Sequence, residues 1–113
     1  MPSSLSLDGL RFMLVSSTAT PVDPEDSTTF HYHQDGKLVW GEYQGATVSE
    51  GRFVGAVHDD RVRISFAHAL VDSGAIVQGD AVSRAERADD GRLRLVEDFA
   101  VDGVDHVSVC VQL

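Results

Sequence analysis

The sequence has little cysteine and little positive charge, and each shortage argues against a class of protein. Its single cysteine, Cys110, cannot form an internal disulfide, so the fold need not depend on an oxidising compartment. Nine basic residues against 18 acidic ones give a formal charge of −9, and no Lys/Arg cluster reverses it locally. This charge disfavours nucleic acid and anionic membranes as partners. Residues 1–15 lack a basic start and an uninterrupted apolar run, so we expect a cytoplasmic protein.

Alternation of apolar and polar residues dominates the rest of the chain. Turn-forming pairs such as Asp35-Gly36 and Asp102-Gly103 interrupt it, which is typical of an all-β antiparallel meander. The longest break, 18–27, contains Pro21 and Pro24 and predicts a loop beside a barrel mouth, with a short turn or helix at 23–26. The predicted strands are 8–17, 28–34, 37–43, 48–57, 61–70, 75–85, 92–101 and 104–113.

Eight consecutive strands predict a closed barrel, because closure removes the exposed edges of an up-and-down sheet. The 113 residues leave room for one domain, 1–113. A barrel of this size has an interior that can hold one small ligand. We therefore expect a single up-and-down antiparallel β-barrel with a central cavity.

The direction in which each strand faces is clear for some strands and ambiguous for others. In strand six the small residues, from Val77 to Ser83, are expected to point inward. In strand eight the valines are taken as the inward set, which places Cys110 outside and inert. Trp40 and Tyr43 lie on opposite phases of one strand, so only one of them points inward unless a bulge intervenes.

Glu97 is the first candidate for chemistry, since it lies on an inward face between Leu95 and Phe99, where an unpaired carboxylate is costly. One interpretation is a structural pair with an inward Arg, Tyr or Gln. The other is a ligand anchor or a general acid/base with a raised pKa. His68 lies on an inward phase as well and is either a ligand contact or a core or rim histidine.

The predicted ligand is a small apolar or amphipathic molecule, bound without a cofactor by aromatic and polar inward residues. Those residues are Phe12, Tyr32, Gln34, Trp40, Tyr43, Phe53, Phe66, His68, Glu97 and Phe99.

His31 and His33 project to the same side of a strand, a spacing that metal sites on β-sheets use when a third histidine or a carboxylate is added. A third ligand could come from His58, His68 or His106. However, Phe30 and Tyr32 claim the opposite, apolar face, which places the two imidazoles outside the barrel. We therefore expect no metal.

A resemblance to a known family rests on turns, glycines and a few inward residues over the last three-quarters of the chain. They are Phe30, Tyr32, Gln34, Gly36, Val39, Tyr43-Gln44-Gly45, Gly51, Phe53, Gly55, Gly79, Ser83, Glu86, Asp90-Gly91-Arg92-Leu93-Arg94-Leu95, Glu97 and Phe99. In these the chain resembles small bacterial proteins often labelled "N-acetylglutamate synthase". The resemblance implies a calycin-like, lipocalin-like barrel. The chain differs from that family at Phe99-Ala100-Val101, where the relatives tend to have Trp-x-Trp.

Three functions follow as alternatives. The first is a small-molecule-binding barrel. The second is a cyclase or isomerase of the kind found in bacterial biosynthetic pathways, in which the cavity is the template and Glu97, with His68, is the acid/base. The third is an interaction module whose barrel is filled by its own side chains and which forms a homodimer through its outer face.

Overall fold

The computed structural model describes residues 5–19 and 21–113, and within them the chain forms eight strands. Residues 1–4 and Thr20, which belongs to the predicted loop 18–27, lie outside the described part. Each predicted strand is present, with ends that differ by up to three residues. The strands are β1 Arg11–Ser17, β2 Thr29–Asp35, β3 Leu38–Gly45, β4 Val48–His58, β5 Arg61–Leu70, β6 Ile76–Arg87, β7 Leu93–Val101 and β8 Val104–Gln112.

The strands close into a barrel, as predicted. Each strand pairs antiparallel with the next one along the chain, and β1 pairs with β8 to complete the ring. The β1–β8 seam runs from Phe12 opposite Gln112 to Ser17 opposite Ser108, with a bulge between Leu14 and Ser16. Closure gives the outer edges of β1 and β8 a partner within the same chain.

The connections follow the turn chemistry of the sequence. Asp102 and Gly103 join β7 to β8 with φ values of +51° and +78°, the two positive angles that a type I′ hairpin turn requires. In the β1–β2 connection, Asp23 to Asp26 form a turn closed by a 3.0 Å hydrogen bond from Asp26 N to Asp23 O. The described residues contain no helix of the length and apolarity needed to cross a membrane.

One end of the barrel is packed solid. Phe12 and Leu7 are fully buried there. The segment that carries Leu7 crosses this end and is tied to Gln34, whose Oε1 accepts a 2.8 Å hydrogen bond from Leu7 N. The core at this end therefore consists of rings and branched side chains under a short N-terminal cover.

The facing of β6 is confirmed, and that of β8 is the reverse of the prediction. Ala81 and Ser83 are almost fully buried on β6. On β8, Ser108 and Cys110 are buried, whereas Val107 is 40% exposed. The pairing with β7 explains the reversal, because residues directly opposite each other share a face, and Ser108 lies opposite inward-facing Glu97.

Candidate functional site

The other end of the barrel is hollow. A cavity of about 330 Å³ lies there. Its apolar wall is formed by Leu14, Phe30, Val48, Ile64, Phe66, Leu70, Val77, Phe99 and Val101. Its polar groups belong to Ser17, Thr28, Tyr43, Thr47, His68, Glu97, His106 and Ser108. A larger groove of about 900 Å³ follows β5 to β8. Arg63, Asp80 and Asp98 line it beside apolar side chains, and it shares Phe99 and His106 with the cavity.

Five of the ten predicted ligand-binding residues meet in this cavity. They are Tyr43, Phe66, His68, Glu97 and Phe99. They come from β3, β5 and β7, so closure of the barrel is what brings them together.

Three of the other predicted residues fill the packed end instead. The rings of Phe12 and Tyr32 meet edge to face at 5.4 Å between centroids, and the Tyr32 and Phe53 rings are 4.6 Å apart. All three are nearly inaccessible to solvent. They form the core below the cavity and do not line it.

Gln34 and Trp40 are the two residues for which the structure departs most from the expectation. The Gln34 side chain holds the N-terminal segment, since its Nε2 donates to the carbonyl of Leu5 at 3.0 Å. Trp40 lies on the outer face, where it is 40% exposed and stacks on His33. Tyr43 therefore takes the inward position, because the alternation of the strand allows only one of the two to do so.

Phe30, Ser108 and His106 line the cavity although the sequence did not mark them as ligand contacts. Phe30 stacks on Tyr43 at 5.0 Å, and its phase, shared with inward Tyr32, was the signal that could have found it. Ser108 and His106 were missed because β8 was taken to face the other way.

Glu97 forms part of the cavity floor. On β7 it is the first lining residue beyond buried Leu95, and it keeps partial access to the cavity. Its Oε2 accepts a long, 3.4 Å hydrogen bond from Ser83 Oγ. In the described part of the chain no basic side chain forms an ion pair with it, so the partner of this carboxylate within the barrel is a hydroxyl.

Burial dominates the electrostatics of Glu97. Removal from water raises the pKa of its carboxyl to about 7, the Ser83 hydrogen bond acts in the opposite direction, and the charge of Asp98 adds to the rise. The negative charge of Glu97 also adds to the effect of burial in raising the pKa of Tyr43. The floor of the cavity therefore holds a carboxyl group whose pKa lies well above that of a carboxyl group in water.

Tyr43 and His68 form a polar pair on the cavity wall. The Tyr43 hydroxyl lies 2.8 Å from His68 Nδ1. Burial lowers the pKa of the imidazole and raises that of the phenol, so both groups are neutral at pH 7. With Tyr43 as donor and Nδ1 as acceptor, the Nε2 of His68 carries the ring proton.

Gly51 makes this pair possible. It lies opposite Tyr43 on one side and His68 on the other, in register across β3, β4 and β5. A Cβ at Gly51 would come within 2.5 Å of the Tyr43 ring carbons. The absence of a side chain thus lets the phenol lie over β4 and reach the imidazole two strands away.

Gly51→Ala is expected to destabilise the barrel by about 1 to 3 kcal/mol, because the added methyl displaces the Tyr43 ring from a packed position. Urea unfolding measures this loss, and the ¹⁵N shift of His68 Nδ1 reports whether its hydrogen bond is broken. Val54→Ala is the control, since Val54 lies on the outer face of the same strand and is 54% exposed. Equal stability of the two variants would contradict the role given to Gly51.

Comparison with known proteins agrees with this architecture. No curated protein matches the chain. The family model described as "Avidin-like protein" matches residues 5–113, which include every strand of the barrel and every residue of the cavity. The chain therefore belongs to the avidin-like protein family, whose fold is a calycin-type barrel.

Proposed function

We propose that the protein binds one small amphipathic molecule in the cavity, with the polar end of the ligand at Glu97. The observation that carries this proposal is a carboxylate without a basic partner among the described residues, placed at the floor of a hollow about 330 Å³ in volume. Ligand sites combine apolar walls with a few converging polar groups. A barrel filled by its own side chains would leave no such space.

The size and lining of the cavity limit the ligand. Its volume is at the small end of the range for ligand sites, roughly 300 to 1,000 Å³. Phe30, Phe66 and Phe99 supply flat apolar surface on three strands. This favours a compact molecule with an apolar body, which gains affinity by leaving water.

The chemistry of the floor limits the polar end of the ligand. In its ionised form Glu97 only accepts hydrogen bonds, so above its pKa of about 7 it favours a ligand group with N–H or O–H donors. The ionised form would repel a ligand carboxylate from the floor. The Tyr43–His68 pair offers a second polar contact on the wall, through His68 Nε2, which carries the ring proton when Tyr43 donates to Nδ1.

Whether the cavity binds a small molecule can be tested by filling the cavity with a large side chain. Val77→Trp places a large ring at the mouth, beside His68. We expect the indole to occupy space that a ligand needs and so to weaken binding of the uncharged dye N-phenyl-1-naphthylamine at least about tenfold, a loss of roughly 1.4 kcal/mol. The fluorescence of the dye measures its binding. Native mass spectrometry of freshly purified protein would reveal a ligand retained from the cell. Biotin, which avidin-type barrels bind, is the first pure compound to test for binding to the protein.

Val54→Trp is the matched control, because it adds the same side chain to the outside of the wall. It should bind the dye as the wild-type protein does. Dye binding that survives Val77→Trp, or a wild-type protein that binds neither dye nor any retained molecule, would contradict the proposal.

A second candidate function is proton transfer to or from the bound molecule, as in a cyclase or isomerase. The pKa of about 7 for Glu97 favours it, because a group near half ionisation at the working pH can both donate and accept a proton. His68 would then orient the substrate. Glu97→Gln would abolish turnover while leaving the cavity intact, and turnover that survives this change would exclude the role.

A further inference from the structure

A cluster of metal-binding side chains lies on the outer wall of the barrel, on the opposite face of β2 from the cavity. His31 and His33 are two residues apart on β2 and so point to the same side. Glu42 on β3 lies directly opposite His31. The register of the β2–β3 hairpin therefore places a carboxylate between the two imidazoles.

The carboxylate of Glu42 already lies at the spacing of metal ligands from both imidazoles. Glu42 Oε1 is 3.0 Å from His33 Nε2 and 3.3 Å from His31 Nδ1, and one ligand atom from each residue lies within 4.8 Å of the others. Two ligands of a tetrahedral zinc ion, each about 2.1 Å from the metal, are roughly 3.4 Å apart. Small side-chain rotations suffice to place all three around one ion.

We propose that His31, His33 and Glu42 bind a divalent transition-metal ion of the zinc class. Two imidazoles and one carboxylate suit Zn²⁺, Ni²⁺ and Cu²⁺, whereas Ca²⁺ and Mg²⁺ require more oxygen ligands. Three protein ligands leave one position for water or an exchangeable group. No metal was expected from the sequence because the two imidazoles point out of the barrel. The strand register now shows that Glu42, on the neighbouring strand, lies within reach of both of them on that outer face.

The surroundings of the cluster allow a metal to enter. The side chains of His31, His33 and Glu42 are 41%, 31% and 43% exposed, so the ligands are open to solvent. Arg52 lies opposite Glu42 on β4, but its guanidinium is bonded to Glu50 at 2.6 Å. The charge of the whole chain, −9, favours the approach of a cation.

Trp40 supplies a local reporter. It is the only tryptophan in the chain, and its ring stacks on His33 with 5.6 Å between centroids. A Cu²⁺ ion bound by His33 would lie close enough to quench the indole fluorescence, since quenching by this ion is short-ranged. Metal binding at this cluster thus gives an optical signal that metal bound elsewhere on the barrel does not give.

The experiment uses the untagged full chain at pH 7.5, titrated with Zn²⁺ by calorimetry and with Cu²⁺ by Trp40 fluorescence. We expect one equivalent of either ion, saturable quenching by Cu²⁺, and a rise in Tm with excess Zn²⁺, because a ligand of the folded state stabilises it. His31→Gln and Glu42→Gln should each weaken binding by at least about tenfold. Glu42→Gln is the sharper test, since glutamine keeps the shape and can still accept the hydrogen bond of His33.

His58→Gln is the control, because His58 is exposed at the far end of β4 and lies outside the cluster. It should bind both ions as the wild-type protein does. Unchanged affinity in Glu42→Gln and His31→Gln, or the absence of stoichiometric binding to the wild-type chain, would overturn the proposal. Thermal unfolding of each variant without metal verifies that a loss of binding is not a loss of fold.

Discussion

Replacing Glu97 with glutamine is expected to stabilise the barrel at pH 8 by about 3 kcal/mol and to leave its stability at pH 4 almost unchanged. The cause is the environment of the carboxyl group. Burial raises its pKa from an ordinary value of 4.5 to about 7, so ionisation costs more free energy in the folded chain than in the unfolded one. Glutamine has nearly the same shape and carries no charge.

The direction of the pH dependence follows from the protons that each state holds. Between about pH 4.5 and pH 7, folded molecules keep the Glu97 proton while unfolded molecules have lost it. Raising the pH through this window therefore favours unfolding, and the loss is complete above the folded pKa. Below the window both states are protonated, and Glu97 makes no such contribution.

Urea unfolding of both proteins at a series of pH values from 4 to 8 measures this effect as a widening difference between their free energies of unfolding. Asp105→Asn is the control, because it removes an exposed carboxylate from β8 and should give a difference that stays small. A Glu97→Gln variant whose advantage is the same at pH 4 and pH 8 would show that the carboxyl is not held in a costly environment.

The destabilising carboxylate of Glu97 is explained if it has a role in binding. Residues that lower the stability of a fold concentrate at functional sites, where they contribute to ligand binding or catalysis. In this barrel the donor group of a ligand would supply the hydrogen bonds that Ser83 alone provides weakly, at 3.4 Å. Glu97 therefore links the stability of the empty protein to its proposed affinity for a small molecule.

Much of the architecture can be predicted from the sequence, because the strand period of two and the turn residues are local signals. The alternation located all eight strands and put Phe66, His68, Glu97 and Phe99 on inward faces. The count of strands predicted closure, because an open meander of that length leaves two long unpaired edges.

The remaining features depend on partners that are distant in the sequence. Both faces of β8 carry residues that could be buried, so only pairing with Glu97 and Leu95 on β7 decides that Ser108 and Cys110 turn inward. The choice between Trp40 and Tyr43 depends on the space above Gly51, which lies on another strand. Gln34 could not be assigned to the N-terminal segment, since that contact spans 27 residues of sequence.

The division of the barrel into a packed end and a hollow end can be tested with two phenylalanines that lie opposite each other. Phe53 on β4 pairs with Phe66 on β5. Phe53 is 4% exposed and packs on Tyr32, whereas Phe66 lines the cavity and is only partly buried. The same substitution at the two positions therefore removes one ring from a solid core and one from the wall of a hollow.

Phe53→Ala is expected to cost about 3 to 5 kcal/mol, because it leaves a closed void among rings that cannot collapse around it. Phe66→Ala should cost only about 1 to 2 kcal/mol, since the space it vacates joins the existing cavity and fills with water. Urea unfolding measures both losses, and each variant is the control for the other. Phe66→Ala should also admit larger dyes than the wild-type barrel does. Equal losses of stability would mean that the ring of Phe66 is packed as tightly as that of Phe53, and that the cavity closes in solution.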